Sequence, residues 1–271
     1  MPNMEYDRSV GSLLFPGRAP TVFRAGAVND PVQLAAEFSR IAYYRFEDGS
    51  RARLEQDLAI AGFGQVRSFV AGSSQAFGAQ RSDLAILAFR GTEPKEPADL
   101  LADLMALAVP WSGDGLVHAG FALAYAGLRD EVAAWVKQIR AGRRLLFCGH
   151  SLGAALATLA ASELQPELLV TVASPRVGNR RFLDTLARVE HTRLVNCADA
   201  VTQVPPAIVY EHPAQLLYIN HLGELLRNPS KELVEADQRA GRDSYTHRAD
   251  ELPSRRLADH APVNYLRALF P

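Results

Sequence analysis

Apolar positions in this chain repeat first at helical spacing, then at strand spacing, then as strand and helix in alternation. Leu34, Phe38 and Ile41 fall on one face of a helix that Pro31 opens. A second short helix is expected over residues 51–61. Runs at 66–71, 75–80 and 84–89 follow, separated by turn residues, and predict antiparallel strands on one side of a sheet. Beyond them, short apolar runs at 145–148, 168–173 and 193–197 alternate with helical stretches at 121–140, 154–163 and 179–189. That alternation predicts a parallel sheet covered by helices. A hairpin is expected at 215–219 and 224–227, turning at Gly223, and a terminal helix at 263–270. Residues 1–30 read as an irregular lead-in and 228–260, polar and poorly periodic, as a long loop. No repeat or linker divides the chain, so one domain over 1–271 is expected.

Composition adds exclusions more than identity. A length of 271 residues with 48% hydrophobic and 22% charged residues suits one large α/β domain with a substantial core. A net charge of -1 gives no electrostatic case for nucleic acid or an anionic membrane surface. No apolar run is long enough to span a bilayer. Glu5, Asp7, Arg8 and Arg18 surround only a short apolar patch at 10–15, which is not a signal peptide, so a cytoplasmic location is expected, with secretion by another route left open. Cys148 and Cys197 each end a predicted strand and read as buried free thiols.

The chemistry concentrates at Gly149-His150-Ser151-Leu152-Gly153, between the apolar run 145–148 and the alanine-rich stretch 154–163. A strand feeding a helix through so tight a turn forces its middle residue into strained geometry, and glycines on either side let the backbone pass without a Cβ clash. The Ser151 hydroxyl is thereby lifted out, with the N–H groups of a helix start beside it. A serine becomes a nucleophile when a histidine takes its proton and a carboxylate orients that histidine. On such a fold the chain order is serine, acid, histidine. Asp199 lies just past the strand at 193–197, where active residues of such sheets sit. Asp184 competes, but on a helix face where solvation accounts for it. Four histidines follow: His212 before Pro213, His221 at the hairpin, His247 in a charged loop, and His260 before the last helix. Position favours His260 without eliminating the others. For the oxyanion, the N–H of Leu152 is one expected donor, and Phe89-Arg90-Gly91-Thr92 is either the source of a second, at Thr92, or a plain β-turn.

In order along the chain, these segments resemble the class 3 lipase family, the fungal-type triacylglycerol lipases with an α/β-hydrolase fold. The resemblance rests on Phe89-Arg90-Gly91-Thr92, Val117-His118-Ala119-Gly120-Phe121, the segment from Gly149 to Ala157, Ser174-Pro175-Arg176-Val177-Gly178-Asn179 with Phe182, residues 196–206 and 218–224, and Asp259-His260 with Tyr265. It implies a central, mostly parallel sheet flanked by helices, with antiparallel strands toward the N-terminus. It further implies Ser151 as nucleophile, Asp199 as orienting acid, His260 as base, and Thr92 and Leu152 as the oxyanion hole. Residues 100–104 look like the family segment that often carries a tryptophan and then Asp-Leu; by that analogy Asp103 supports the Thr92 hydroxyl, while Leu101 stands where the tryptophan would be. The same resemblance makes 93–115 a candidate lid. Its apolar residues Leu100, Leu101, Leu104, Met105 and Leu107 suit equally a lid facing an oil–water interface and a helix buried on the sheet. His118 and the segment from Ser174 to Asn179 carry no assigned chemistry.

The sequence therefore points to a serine carboxylic-ester hydrolase, without metal or cofactor, acting on acylglycerols or related lipid esters in solution or at a lipid–water interface. A phospholipase A1, a feruloyl esterase or a thioesterase would use the same machinery. From another class, a catalytically silent lipid-binding relative would be expected to have lost one of Ser151, Asp199, His260 or Thr92. A nucleotide-binding domain is disfavoured, because no phosphate-loop lysine follows the glycines. No motif fixes an oligomeric state.

Overall fold

The structure, a computed structural model, describes residues 5–24, 28–44, 50–92, 107–213 and 215–270. The chain begins with α1 (Val10–Leu14), α2 (Pro31–Ile41) and α3 (Arg51–Ile60). Asp30 caps α2, its carboxylate accepting from the N–H groups of Val32 and Gln33 at 2.9 and 2.8 Å, with Pro31 in the first turn. Then come β1 (Gly64–Ala71), β2 (Ser74–Gln80), β3 (Leu84–Phe89) and a small hairpin of β4 (Ala108–Pro110) and β5 (Leu116–His118). Next are α4 (Ala119–Ala126), α5 (Arg129–Ile139), β6 (Arg144–His150), α6 (Leu152–Leu164), β7 (Leu168–Val172), α7 (Arg180–Asp184) and β8 (Glu190–Asn196). The chain closes with β9 (Leu216–Ile219), β10 (Leu225–Arg227), α8 (Lys231–Asp243), α9 (Arg255–Ala258) and α10 (Pro262–Leu269).

An eight-stranded sheet in the order β1-β2-β3-β6-β7-β8-β9-β10 organises these elements. Pairing is antiparallel through β1, β2 and β3, parallel from β3 to β9, and antiparallel again at β10. This is an α/β-hydrolase architecture. Side chains alternate between the two faces. Leu145 and Phe147 of β6 join a core with α4, α5 and α6, while Leu146 and Cys148 join the opposite core with α2 and α3. Because both faces are covered, the apolar runs are continuous, as expected for buried parallel strands.

Several local expectations differ. The helix expected over 121–140 is two helices, because the chain breaks at Gly127-Leu128; a Cβ on Gly127 would lie 2.8 Å from that of Ala71. The stretch 228–260 is not a long loop: Ser230 caps α8, whose inward positions Val234, Asp237, Gln238 and Gly241 are mostly polar or small, so no apolar run announces it. The lead-in contains α1, capped by Ser9. Residues 108–110 of the candidate lid form β4, paired with β5, and Trp111 ties this hairpin to α6 by donating to Ser162 Oγ at 2.9 Å. Cys148 and Cys197 are free and buried, and burial pushes each thiol up to about 12.

The rear of α2 carries a buried ion pair. Arg40 and Glu37 are fully enclosed, and the guanidinium donates to both carboxylate oxygens, Nη2 at 2.6 and Nε at 2.8 Å. Arg40 also reaches the carbonyls of Pro16 and Ala19, so it fastens the N-terminal segment to the helix that delivers Tyr43. Truncating it would leave the buried Glu37 carboxylate without its counter-charge, with only the Thr21 hydroxyl and the Val22 N–H still donating to it. Arg40→Ala should therefore lower unfolding free energy by about 3–5 kcal/mol. Urea denaturation measures this, and a loss below about 1 kcal/mol would contradict the argument.

Candidate active site

Ser151 sits between β6 and α6 at φ 59° and ψ -127°, a region that non-glycine residues rarely occupy. Its N–H is anchored on the Val172 carbonyl at 3.0 Å. Main-chain crowding explains the flanking glycines. A Cβ on Gly149 would stand 2.2 Å from the Gly153 carbonyl oxygen, and one on Gly153 2.1 Å from that of Phe89. A Cβ on Gly91 would stand 2.1 Å from the Tyr43 hydroxyl and 2.6 Å from the His150 carbonyl oxygen. The end of β3 and the Gly91-Thr92 segment are thus pressed against the turn that carries Ser151.

Around that turn the structure brings together Ser151, His260 and Asp199. His260 Nε2 is 3.0 Å from Ser151 Oγ, and His260 Nδ1 lies 2.9 and 3.0 Å from the two Asp199 carboxylate oxygens. With Nδ1 facing a carboxylate, the proton resides there and Nε2 is free to accept from the serine hydroxyl. The three residues are 4%, 1% and 0% exposed in that order, so water does not dilute the contact. Asp199 also accepts from the Val201 N–H at 2.9 Å and from the Tyr265 hydroxyl at 2.6 Å. Burial and the facing carboxylate hold Tyr265 far above its ordinary range, so it remains a donor.

Three contributors are not legible in the sequence. His150, the second residue of the turn, places Nε2 2.8 Å from the main-chain carbonyl of His260 and Nδ1 2.8 Å from the Tyr43 hydroxyl. Since a carbonyl only accepts, Nε2 carries the proton and Nδ1 accepts from Tyr43. Burial, then the nearby His260, keeps His150 well below its ordinary pKa, and only its neutral form satisfies both neighbours. His150 and Tyr43 thus hold the backbone of the histidine whose ring faces Ser151. Tyr265, quoted only as part of the resemblance, holds the acid. An aromatic residue five positions after His260 was the only sequence signal for it.

The competing candidates go elsewhere. Asp184 pairs with Arg180 on an exposed helix face at 3.1 Å. His212 donates to the Thr202 carbonyl at 2.7 Å and is held well below its ordinary pKa by burial. His221 pairs with Asp237 at 2.5 Å, and exposed His247 stacks on Tyr245 with centroids 6.2 Å apart. His118 is buried and stacked on Phe121. Leu152 opens α6, whose first N–H groups have no intrahelical acceptor. Thr92 is exposed just beyond β3, whereas Asp103 and the lid residues 93–106 lie outside the described residues. Among the described residues no group of three or more His, Cys, Asp or Glu is arranged to hold a metal, and no helix is long and apolar enough to cross a membrane.

Sheet order and the strained serine turn are those of the α/β-hydrolase fold. Residues 86–209 match the class 3 lipase family, a span that includes Ser151 and Asp199 and ends before His260. The chain is 35% identical over 117 residues to a secreted mono- and diacylglycerol lipase of Malassezia restricta, covering 38% of this chain and 39% of that one. It is 44% identical over 70 residues to a chloroplastic phospholipase A1 of Arabidopsis thaliana, covering 22% and 16% respectively. In structure it resembles a lipase of Rhizopus microsporus var. chinensis, with a TM-score of 0.61, 24% identity and coverage of 81% of this chain and 84% of that one, a likeness of fold. The match to the class 3 lipase family covers residues 86–209, less than half of this chain, and the chain spans about two fifths of the length of the Malassezia relative. The expected cytoplasmic location is overturned: the Malassezia relative and other fungal relatives are named as secreted proteins. That no secretory leader is read in residues 10–15 does not decide location.

The crowding at the turn has a measurable consequence. Gly153→Ala has no room against the Phe89 carbonyl, so it should cost about 1–3 kcal/mol of stability and disturb Ser151. Equilibrium unfolding together with the rate of fluorophosphonate labelling tests this. Unchanged values of both would show that the turn has slack.

Proposed function

We propose that this chain is a serine carboxylic-ester hydrolase acting on acylglycerols or closely related lipid esters. The observation that carries the reading is the continuous hydrogen-bonded line from Asp199 through His260 to Ser151, with Ser151 raised on a strained strand-to-helix turn. In this reading Ser151 Oγ attacks the ester carbonyl as His260 Nε2 takes its proton, and Asp199 steadies the imidazolium that forms. The Leu152 N–H, at the start of α6, and Thr92 stabilise the oxyanion, and Asp103 is proposed to orient the Thr92 hydroxyl. His260 then protonates the departing alcohol. Water, activated by the same histidine, attacks the acyl-enzyme, releasing the acid and restoring Ser151.

A lipid substrate is supported by apolar side chains left in solvent. Leu107, Leu123 and Ile208 are 84%, 79% and 90% exposed, with Val209 beside Ile208. They belong to segments that meet: the Ala119 N–H at the start of α4 donates to the Leu107 carbonyl, and Tyr210 lies against His118 with ring centroids 6.1 Å apart. Exposed apolar residues on neighbouring segments are what a surface that meets apolar partners offers. Mono- and diacylglycerols are the first substrates to test, given the name of the Malassezia relative; the match to a phospholipase A1 makes phospholipids the second. The reading takes residues 1–271 as one catalytic domain.

Ser151→Ala should lower hydrolysis of a soluble p-nitrophenyl ester by at least about 10³-fold while leaving the far-UV dichroism unchanged. Turnover near wild type would sink the assignment. A parallel panel of diacylglycerol, triacylglycerol and phosphatidylcholine then ranks the substrates.

A further inference from the structure

His260 is gripped from the Ser151 side by Asp199 and His150. Its loop is also gripped from behind, by Asp259. The Asp259 carboxylate is fully buried and accepts from separate parts of the chain: the Tyr6 hydroxyl at 2.7 Å, the Ala198 N–H at 2.9 Å and Arg255 Nε at 3.1 Å. In the other direction, Asn196 Nδ2 donates to the main-chain carbonyl of Asp259 at 3.1 Å. Ala198 immediately precedes Asp199, and Asp259 immediately precedes His260. The acid loop and the base loop are therefore cross-linked one residue upstream of each functional side chain.

The N-terminal segment completes this link. The Asp7 N–H donates to Asn264 Oδ1 at 2.8 Å, and Asn264 Nδ2 donates to the carbonyls of Asp7 and Ala258, both at 2.8 Å. Tyr6 is thus delivered to Asp259 by a strap laced onto the segment that bears His260. Filling space does not account for such an arrangement. Burial pushes the Asp259 carboxyl up to about 6, even though Arg255, Tyr6 and the Ala198 N–H all favour its ionised form. An apolar side chain of similar volume would fill the site without that penalty. What it would lack is directional acceptors that fix Ala198 against the residue before His260.

We propose that Asp259 is a positioning residue for the reaction set out above: it sets the distance between Asp199 and His260 by tying their loops together, and Tyr6 and Arg255 hold it in place. The inference rests on the hydrolase reading for its kinetic consequence. A displacement of about 1 Å in either loop would stretch the contact between acid and base, and misplacements of that size cost up to about 10²-fold in rate.

The test uses the full chain with Tyr6→Phe, Asp259→Asn and Arg255→Lys. Tyr6→Phe removes only the hydroxyl and keeps the ring beneath the Arg255 and Arg267 guanidinium groups, which lie 5.2 and 5.6 Å from its centroid. On p-nitrophenyl butyrate, kcat should fall about 3–10-fold for Tyr6→Phe and about 10–100-fold for Asp259→Asn, with KM within about twofold of wild type. Arg255→Lys keeps the charge but loses the planar donor and should lie between them. The downfield proton resonance of His260 Nδ1 should shift or broaden in the same order, because it reads the bond to Asp199 without any turnover. Folded Tyr6→Phe and Asp259→Asn proteins with kcat within about twofold of wild type and an unmoved resonance would overturn the proposal. If Asp259→Asn does not fold, Tyr6→Phe decides by the same readouts. A wild-type protein that neither hydrolyses esters nor reacts with a fluorophosphonate would sink the hydrolase reading, and the resonance would still decide the positioning role.

Discussion

Everything at this site depends on main-chain atoms packed closer than any side chain permits. Gly149, Gly153 and Gly91 each stand where a Cβ would fall within 2.2 Å of another atom. Contact at that range lets β3, β6 and α6 converge on one point, and it fixes Ser151 in a conformation the chain would not adopt alone. The serine is exposed to chemistry because the scaffold behind it has no freedom to relax.

Convergence of strands alone would not place a histidine there. His260 comes from a loop more than a hundred residues away in sequence, and several unrelated contacts fix it. Asp199 orients its ring and His150 holds its carbonyl, while Tyr265 and the Val201 N–H keep the carboxylate of Asp199 turned toward it. Each partner is buried, so each bond acts in a medium of low polarity where it is both stronger and more costly to lose. This is a preorganised arrangement, in which catalysis would require little motion of the protein groups.

The same economy of contacts explains the role of the periphery. Arg40 and Glu37 tie the N-terminal segment to α2, α2 presents Tyr43, and Tyr43 meets His150. The N-terminal segment thus reaches the site by two routes, at Tyr43 and at the loop before His260. Apolar side chains at Leu107, Leu123 and Ile208 remain outside this framework. Being exposed, they do not hold the fold together; in the proposed reading they are the surface offered to lipid.

Much of this was legible from residue order. Periodicity of two and of continuous apolar runs revealed the sheet and its change from antiparallel to parallel pairing, because burial on one or both faces leaves a direct imprint on composition. Gly149 to Gly153 announced the turn, since only glycine fits such crowding. Apolar runs could not reveal α8, whose inward side carries Asp237 and Gln238, nor the break at Gly127, which is set by the approach of β1. Sequence position ranked His260 above His212, His221 and His247 without excluding them, because proximity across the chain is not encoded in spacing. Only the tertiary structure gives each histidine a separate neighbour, and only it gives His150, Tyr43, Tyr265 and Asp259 anything to hold. The order of elements and the glycine-flanked turn were therefore determined by the sequence itself, while the strain held at Ser151 and the partners of each buried polar group were decided by packing, which alone brings distant donors and acceptors to within about 3 Å.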